Sequence, residues 1–72
     1  MKLPQISGIE LIKILRHHGF VVTRQKGSHI RLEKNTPIET IKLTVPNHKN
    51  LKKGTLHQIL KTAGLKLEDM VK

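Results

Sequence analysis

Apolar and polar positions follow two different periods along the chain, and each period predicts one type of element. The chain opens with apolar residues at helical spacing behind an S-x-x-E capping box, formed by Ser7 and Glu10. Gly19 suits the position just after a helix end, so a first helix is predicted over residues 8–18. Its apolar positions are Ile9, Leu11, Ile12, Ile14 and Leu15.

After residue 19 the alternation changes to period two, which predicts three strands joined by short turns. The strands are predicted over residues 20–23, 29–33 and 39–45, and the turns over residues 26–28 and 34–37. Gly27 supplies any positive φ that the first turn requires, and Pro46 ends the pairing of the third strand. Alternation separates an apolar face, with Ile30, Leu32, Ile41, Leu43 and Val45, from a polar face, with His29, Arg31, Glu33, Lys42 and Thr44.

A second helical pattern follows a polar loop. Thr55 and Gln58 form another capping box, and Gly64 suits the end of this helix. Its apolar face comprises Leu56, Ile59, Leu60 and Ala63, and residues 65–71 are expected to add a short helical turn. The order α-β-β-β-α predicts one α+β domain over residues 1–72. We expect a three-stranded antiparallel sheet with both helices on one face.

The net charge of the chain bears on its function more than on its fold. The 72 residues include 14 Lys and Arg against 5 Asp and Glu, which gives a net charge of +9. This excess is typical of nucleic-acid binders, although a basic surface can also meet an acidic protein. Phe20 is the one aromatic residue, so base stacking cannot be the main binding mode. Recognition of RNA shape and backbone remains, and no small-molecule ligand is expected because a deep pocket would be hard to build.

Residue types and motifs that the sequence lacks exclude several kinds of site and location. The chain has no cysteine, which excludes disulfides and cysteine-based zinc sites and is compatible with a reducing cytoplasm. Neither a signal peptide nor a membrane span is expected, because no apolar run is long enough. No H-E-x-x-H or similar arrangement occurs, so neither a metal nor another cofactor is expected. We therefore expect a cytoplasmic protein.

The stretch R-Q-K-G-S-H-I-R-L, residues 24–32, is the first candidate for chemistry, because His29 follows a tight turn amid cations. Cleaving RNA without a metal needs a base for the 2′-hydroxyl, an acid for the leaving 5′ oxygen and cations for the phosphorane charge. Histidine suits the first two tasks, since its ordinary pKa near 6.5 makes both protonation forms accessible. Position alone nevertheless favours a solvated surface histidine without a task.

The second candidate is K-N-L-K-K-G-T, where Lys49, Lys52 and Lys53 precede the second helix. Cations at the positive end of a helix are disfavoured by about 0.3–1 kcal/mol, and this placement makes sense if a phosphate binds there. The alternative is a polar loop with incidental charge. His48 in the same loop either contacts phosphate or simply occupies a turn.

Four segments together resemble the HicA (YcfA-like) toxin family: S-G-I-E-L-I-K-I-L-R-H-H-G-F, R-Q-K-G-S-H-I-R-L, T-V-P-N-H and L-K-K-G-T-L-H-Q-I-L-K-T-A-G-L. They run in order from Ser7 to Leu65. The resemblance implies a double-stranded-RNA-binding-domain-like fold and an mRNA endonuclease, the toxin of a type II toxin–antitoxin pair. It also implies a HicB-type antitoxin that covers the active site. The family's catalytic histidine corresponds to His29, and its V-P-x-H motif to residues 45–48.

The sequence thus predicts a metal-independent endoribonuclease that cleaves mRNA with His29 as general acid or base. The residues expected to contact RNA are Arg24, Lys26, Gly27, Ser28, Arg31, His48, Lys49, Lys52 and Lys53. Two other functions stay open: a non-catalytic module similar to a double-stranded-RNA-binding domain, and a protein-interaction domain with an acidic partner.

Overall fold

The computed structural model describes residues 5–70, and the predicted α+β fold with the order α-β-β-β-α is confirmed. The elements are α1 (Gly8–His17), β1 (Val21–Lys26), β2 (His29–Asn35), β3 (Thr40–Pro46), α2 (Lys53–Ala63) and a 3₁₀ helix (Leu67–Met70). The 3₁₀ helix is the short final turn expected over residues 65–71. Val71 and residues 1–4, which the sequence analysis also considered, lie outside the described residues.

The sheet has the order β1-β2-β3 and is antiparallel throughout. One of its faces packs against both helices, as expected, and the core lies in this single layer. The buried side chains are Leu11, Ile12, Leu15, Phe20, Ile30, Leu32, Leu43, Val45, Leu51, Leu56, Ile59, Leu60 and Ala63. The other face of the sheet stays uncovered within the described residues, and β1 contributes no buried residue at all.

The start of α1 is built as the sequence predicts. The Ser7 hydroxyl accepts a hydrogen bond from the Glu10 N–H (3.1 Å), and the Glu10 carboxylate accepts one from the Ser7 N–H (3.0 Å). Two N–H groups that a helix start leaves without partners are thereby satisfied. The helix ends at His17, one residue before the predicted end, and its apolar face is narrower than expected because Ile9 is 45% exposed.

The first predicted turn was one residue too long, and the second was predicted two residues too early, since residues 36–39 connect β2 and β3. Only Gly27 and Ser28 lie in the first turn, so Lys26 is the last residue of β1 and pairs with His29. Lys34 and Asn35 belong to β2 rather than to the second turn. They extend the strand because Lys34 pairs with Ile41 and Asn35 with Thr40 of β3. The Lys34 ammonium group lies 5.8 Å from the centre of the Phe20 ring.

The capping box predicted at Thr55 and Gln58 is wrong. The second helix begins at Lys53, with Lys52 as its N-cap residue and no side chain bonded to the cap. The cause lies one residue upstream, where buried Leu51 donates its N–H to the carbonyl of Ile6 (2.9 Å) and anchors the chain. The helical bonds start directly after this anchor. The predicted end at Gly64 and the predicted apolar face of α2 are confirmed.

A close backbone approach gives the first test. A Cβ atom at Gly8 would collide with the carbonyl oxygen of Pro46, whereas a Cβ at Gly54 would meet nothing within 4 Å. Gly8→Ala should therefore lower the free energy of unfolding by about 1–3 kcal/mol, the usual cost of overpacking. Gly54→Ala should raise it by up to about 1 kcal/mol through helix propensity. Urea denaturation of both variants measures this, and equal stabilities would contradict the packing at Gly8.

The capping box also predicts a pH dependence. The bond from the Ser7 N–H, followed by the bond with its hydroxyl, holds the pKa of Glu10 below its ordinary value, and Lys13 adds a smaller attraction. Because the folded-state pKa is the lower one, Glu10 contributes stability above the ordinary carboxyl pKa that is lost as the pH falls through the folded value. Glu10→Gln keeps an acceptor without a titration, so its free energy of unfolding should fall less over this acidic range. Chemical denaturation measures the free energy of unfolding of both proteins at each pH. If the wild type and Glu10→Gln lose stability in parallel as the pH falls, this role of Glu10 is refuted.

Candidate active site on the open face of the sheet

The face of the sheet turned away from the helices carries the polar positions of all three strands, and we call it the open face. Strand pairing places His29 opposite Lys26 on one side and Pro46 on the other, and Arg31 opposite Arg24 and Thr44. His29, Arg31 and Thr44 are exposed, as are all residues of β1. Directly opposite residues have Cβ atoms about 4.5–5.5 Å apart. The strands therefore bring these side chains into one cluster.

A β-bulge in β1 places Val22 and Arg24 on opposite faces of the sheet. The pairing shifts by one residue between Val22, which lies opposite Leu32, and Arg24, which lies opposite Arg31. Strict alternation would put Phe20, Val22 and Arg24 on one face. With Thr23 as the extra residue, Val22 stays on the helix side while Arg24 points to the open face.

Five side chains line one depression on the open face: Arg24, Lys26, His29, Arg31 and Thr44. The depression holds three basic side chains around a single imidazole, and among the described residues no carboxylate lines it. Glu33, on the same face, lies opposite Lys42 and bonds to the Thr23 hydroxyl (3.2 Å). The arrangement is suited to an anion, and a phosphodiester is one anion on which a histidine among cations can act.

The backbone just before His29 is held by the loop after β3, which is itself bonded to the start of α1. The Ser28 carbonyl accepts a hydrogen bond from the Asn47 N–H (2.6 Å), and the His48 carbonyl accepts one from the Gly8 N–H (2.9 Å). The hairpin turn, the loop after β3 and the start of α1 thus meet at one junction. Gly27 takes φ +60°, which permits the two-residue turn and with it the pairing of Lys26 with His29.

A family model described as the HicA toxin of bacterial toxin–antitoxin matches residues 8–65, which is most of the chain. The chain belongs to the HicA toxin family. The match covers α1, the whole sheet and α2, and so includes every residue of the depression. A comparison with curated proteins gives no match.

The structure brings together only part of the site expected of this HicA toxin. Gly27 and Ser28 form the turn next to the depression, but His48, Lys49, Lys52 and Lys53 do not line it. These four residues occupy the loop after β3 and the first positions of α2. The first turn of α2 contains no acidic residue, and no side chain caps it, so its free N–H groups and lysines face solvent together.

Thr44 is the site residue that the sequence analysis missed. Alternation does place it on the polar face of β3, yet that pattern alone does not say which residue of β2 it meets. The observed register sets it opposite Arg31, inside the depression. A hydroxyl at this position can donate to a phosphate oxygen or accept from the neighbouring guanidinium group.

A second cationic depression lies on α1 and is lined by Lys13, Arg16 and His17. It also combines a histidine with cations, but Arg16 and His17 lie in the last turn of the helix, where positive charge complements the helix dipole. This surface belongs to the helical layer, on the other side of the sheet from His29. The α1 depression therefore offers control residues for experiments on the open face.

Two further properties concern metals and membranes. In the part of the chain that the structure describes, no three His, Asp or Glu side chains group closely enough to hold a metal ion. No helix within residues 5–70 is long and apolar enough to cross a membrane.

The paired arginines predict a gain in stability when one is removed. Like charges directly opposite each other in a sheet repel, and exposure to solvent reduces the effect. Arg24→Gln should therefore raise the free energy of unfolding at low salt by about 0.5 kcal/mol or less, and the gain should vanish at high salt. Lys49→Gln, a cation in a loop, is the control. Urea denaturation at two ionic strengths measures both, and a loss of stability in Arg24→Gln would contradict the repulsion.

Proposed function

We propose that this HicA family member is a metal-independent endoribonuclease that cleaves mRNA, with His29 as the catalytic general acid or base. The observation that supports this function is the composition of the depression, where one histidine is surrounded by Arg24, Lys26 and Arg31 without a carboxylate. The whole fold acts as a single toxin domain. Loss of mRNA would account for the toxicity of such a protein.

The reaction is a transesterification within the RNA strand. A base removes the proton of the 2′-hydroxyl, whose oxygen attacks the adjacent phosphorus, and the bond from phosphorus to the 5′ oxygen breaks. Negative charge builds up on the two non-bridging oxygens. Arg24 and Arg31, opposite each other on β1 and β2, stabilise this charge most effectively when it is greatest. No metal is required for any of these steps.

The remaining cations bind the rest of the strand. Lys49, Lys52 and Lys53 hold flanking phosphates, and the uncapped N–H groups at the start of α2 add backbone donors. His48 and the Gly27–Ser28 turn complete this surface beside the depression. Because the sole aromatic residue, Phe20, is buried, the contacts address the sugar–phosphate backbone rather than stacked bases.

The antitoxin partner is a HicB-type protein that covers the open face. Membership of a toxin–antitoxin family supports a partner of this kind in general. The net charge of +9 and the uncovered sheet face support the location, since an acidic partner surface gains most where cations are concentrated. Its binding would place carboxylates where the RNA phosphates otherwise lie.

The histidine provides the decisive experiment. RNA is incubated in EDTA with the wild type, with His29→Ala and with His17→Ala, which removes the histidine of the α1 depression. We expect the wild type and His17→Ala to cleave, and His29→Ala to be slower by at least about 10²-fold, the contribution of one positioned acid or base. Denaturing gels measure cleavage, and circular dichroism checks the fold.

Each failure of this experiment has its own meaning. RNA that binds in native gels but stays intact with wild-type protein would make the chain a non-catalytic RNA-binding module. Cleavage that is lost in His17→Ala but kept in His29→Ala would move the active site to α1. The absence of RNA affinity at moderate salt would leave an acidic protein as the partner of the basic surface.

A further inference from the structure

The proposed reaction needs two proton transfers, and the depression contains a single histidine. One base takes the proton of the 2′-hydroxyl, and one acid must protonate the leaving 5′ oxygen, which is a poor leaving group as an alkoxide. The second group must lie close to His29, because the 2′ oxygen and the leaving 5′ oxygen lie on either side of the same phosphorus atom. The depression therefore has to supply another proton donor, or solvent must do so.

We infer that Lys26 is the general acid that protonates the leaving 5′ oxygen while His29 acts as the base, an inference that rests on the proposed ribonuclease function. Lys26 is the direct cross-strand partner of His29, and both side chains line the depression. Opposite residues in a sheet have Cβ atoms about 4.5–5.5 Å apart. A lysine side chain can therefore reach the leaving 5′ oxygen while the imidazole is at the 2′-hydroxyl.

The chemistry of the other lining groups excludes them from this role. Arg24 and Arg31 cannot release a proton in a protein, and the Thr44 hydroxyl is far too weak an acid. His48 does not line the depression. Within the described residues, Lys26 and His29 are thus the lining groups that can exchange a proton during a catalytic cycle.

The two-residue turn explains why these two groups stay together. Gly27 and Ser28 connect Lys26 directly to His29, so the pairing is local, and the bond from Asn47 to the Ser28 carbonyl (2.6 Å) holds the turn in place. The predicted three-residue turn would have placed Lys26 in a loop without a defined partner. Its place at the end of β1 fixes its backbone opposite His29, so the ammonium group stays within reach of the imidazole.

Atoms and protons balance in this assignment. The 2′ oxygen forms a bond to phosphorus as its proton passes to the imidazole of His29, and the bond from phosphorus to the 5′ oxygen breaks as that oxygen takes a proton from the Lys26 ammonium. The products are a 2′,3′-cyclic phosphate and a 5′-hydroxyl end. His29 gains one proton and Lys26 loses one, and solvent exchange restores both groups.

Lys26→Arg separates a proton donor from a simple cation, because arginine keeps the charge but cannot act as an acid. The measurement is single-turnover cleavage of RNA at saturating protein, so that weaker binding does not count. We expect Lys26→Arg to be slower than wild type by about 10²-fold or more. Lys42→Arg, the same change on the open face but outside the depression, should cleave at the wild-type rate.

A second substrate tests the role of Lys26 directly. In RNA with sulfur in place of the leaving 5′ oxygen, the thiolate departs without protonation, because thiols are much stronger acids than alcohols. Lys26→Arg should cleave this substrate nearly as fast as wild type does. His29→Ala should remain slow on it, since the 2′-hydroxyl still requires a base.

Two results would overturn the assignment of Lys26. Wild-type rates for Lys26→Arg on ordinary RNA would make the residue a cation only. An equal defect on both substrates would show that the lysine acts through positioning or binding rather than as an acid. Failure of the ribonuclease function itself looks different, because wild-type protein would then cleave neither substrate, and the inference would fall with it.

Discussion

One extra residue in β1 decides what the two faces of the sheet can do. The hairpin turn fixes Lys26 opposite His29, while the core requires the Phe20 ring on the helix side. A regular strand cannot meet both requirements, because residues 20 and 26 would then lie on the same face. The bulge at Thr23 reconciles them and leaves a dry layer on one side and a cationic surface on the other. Thr23 also bonds to Glu33 and so engages the one carboxylate of β2.

The cationic surface lowers the stability of the free protein, but it favours the binding of an anionic ligand. Like charges face each other between β1 and β2, and β1 buries no side chain that could compensate. The stability of the domain therefore depends on the layer below, on the close contact of Gly8 with Pro46, and on the capped start of α1. This division is typical of functional sites, where a stable scaffold holds an arrangement that is locally unfavourable.

The sequence predicted most of the fold because its apolar periods, the first capping box and the glycine after α2 agree with one another. It did not predict the start of α2, which depends on the long-range bond between Leu51 and Ile6. At the site, alternation placed His29 and Arg31 on the polar face, but the neighbours of His29 depend on register. A bulge leaves no clear sign in one sequence, and Thr44 joins the depression only through the pairing of β2 with β3.

The proposed function places bound RNA on the open face around His29. Nuclear magnetic resonance tests it most directly, with a short RNA whose 2′-hydroxyls are all methylated so that it cannot be cleaved. On addition of this RNA, the largest changes in chemical shift are expected for the His29 imidazole and for the backbone amides of Arg24, Arg31 and Thr44. The amides of Lys13 and Arg16 on α1 should change little. Shifts centred on α1, with the signals of β1 and β2 unchanged, would contradict the account.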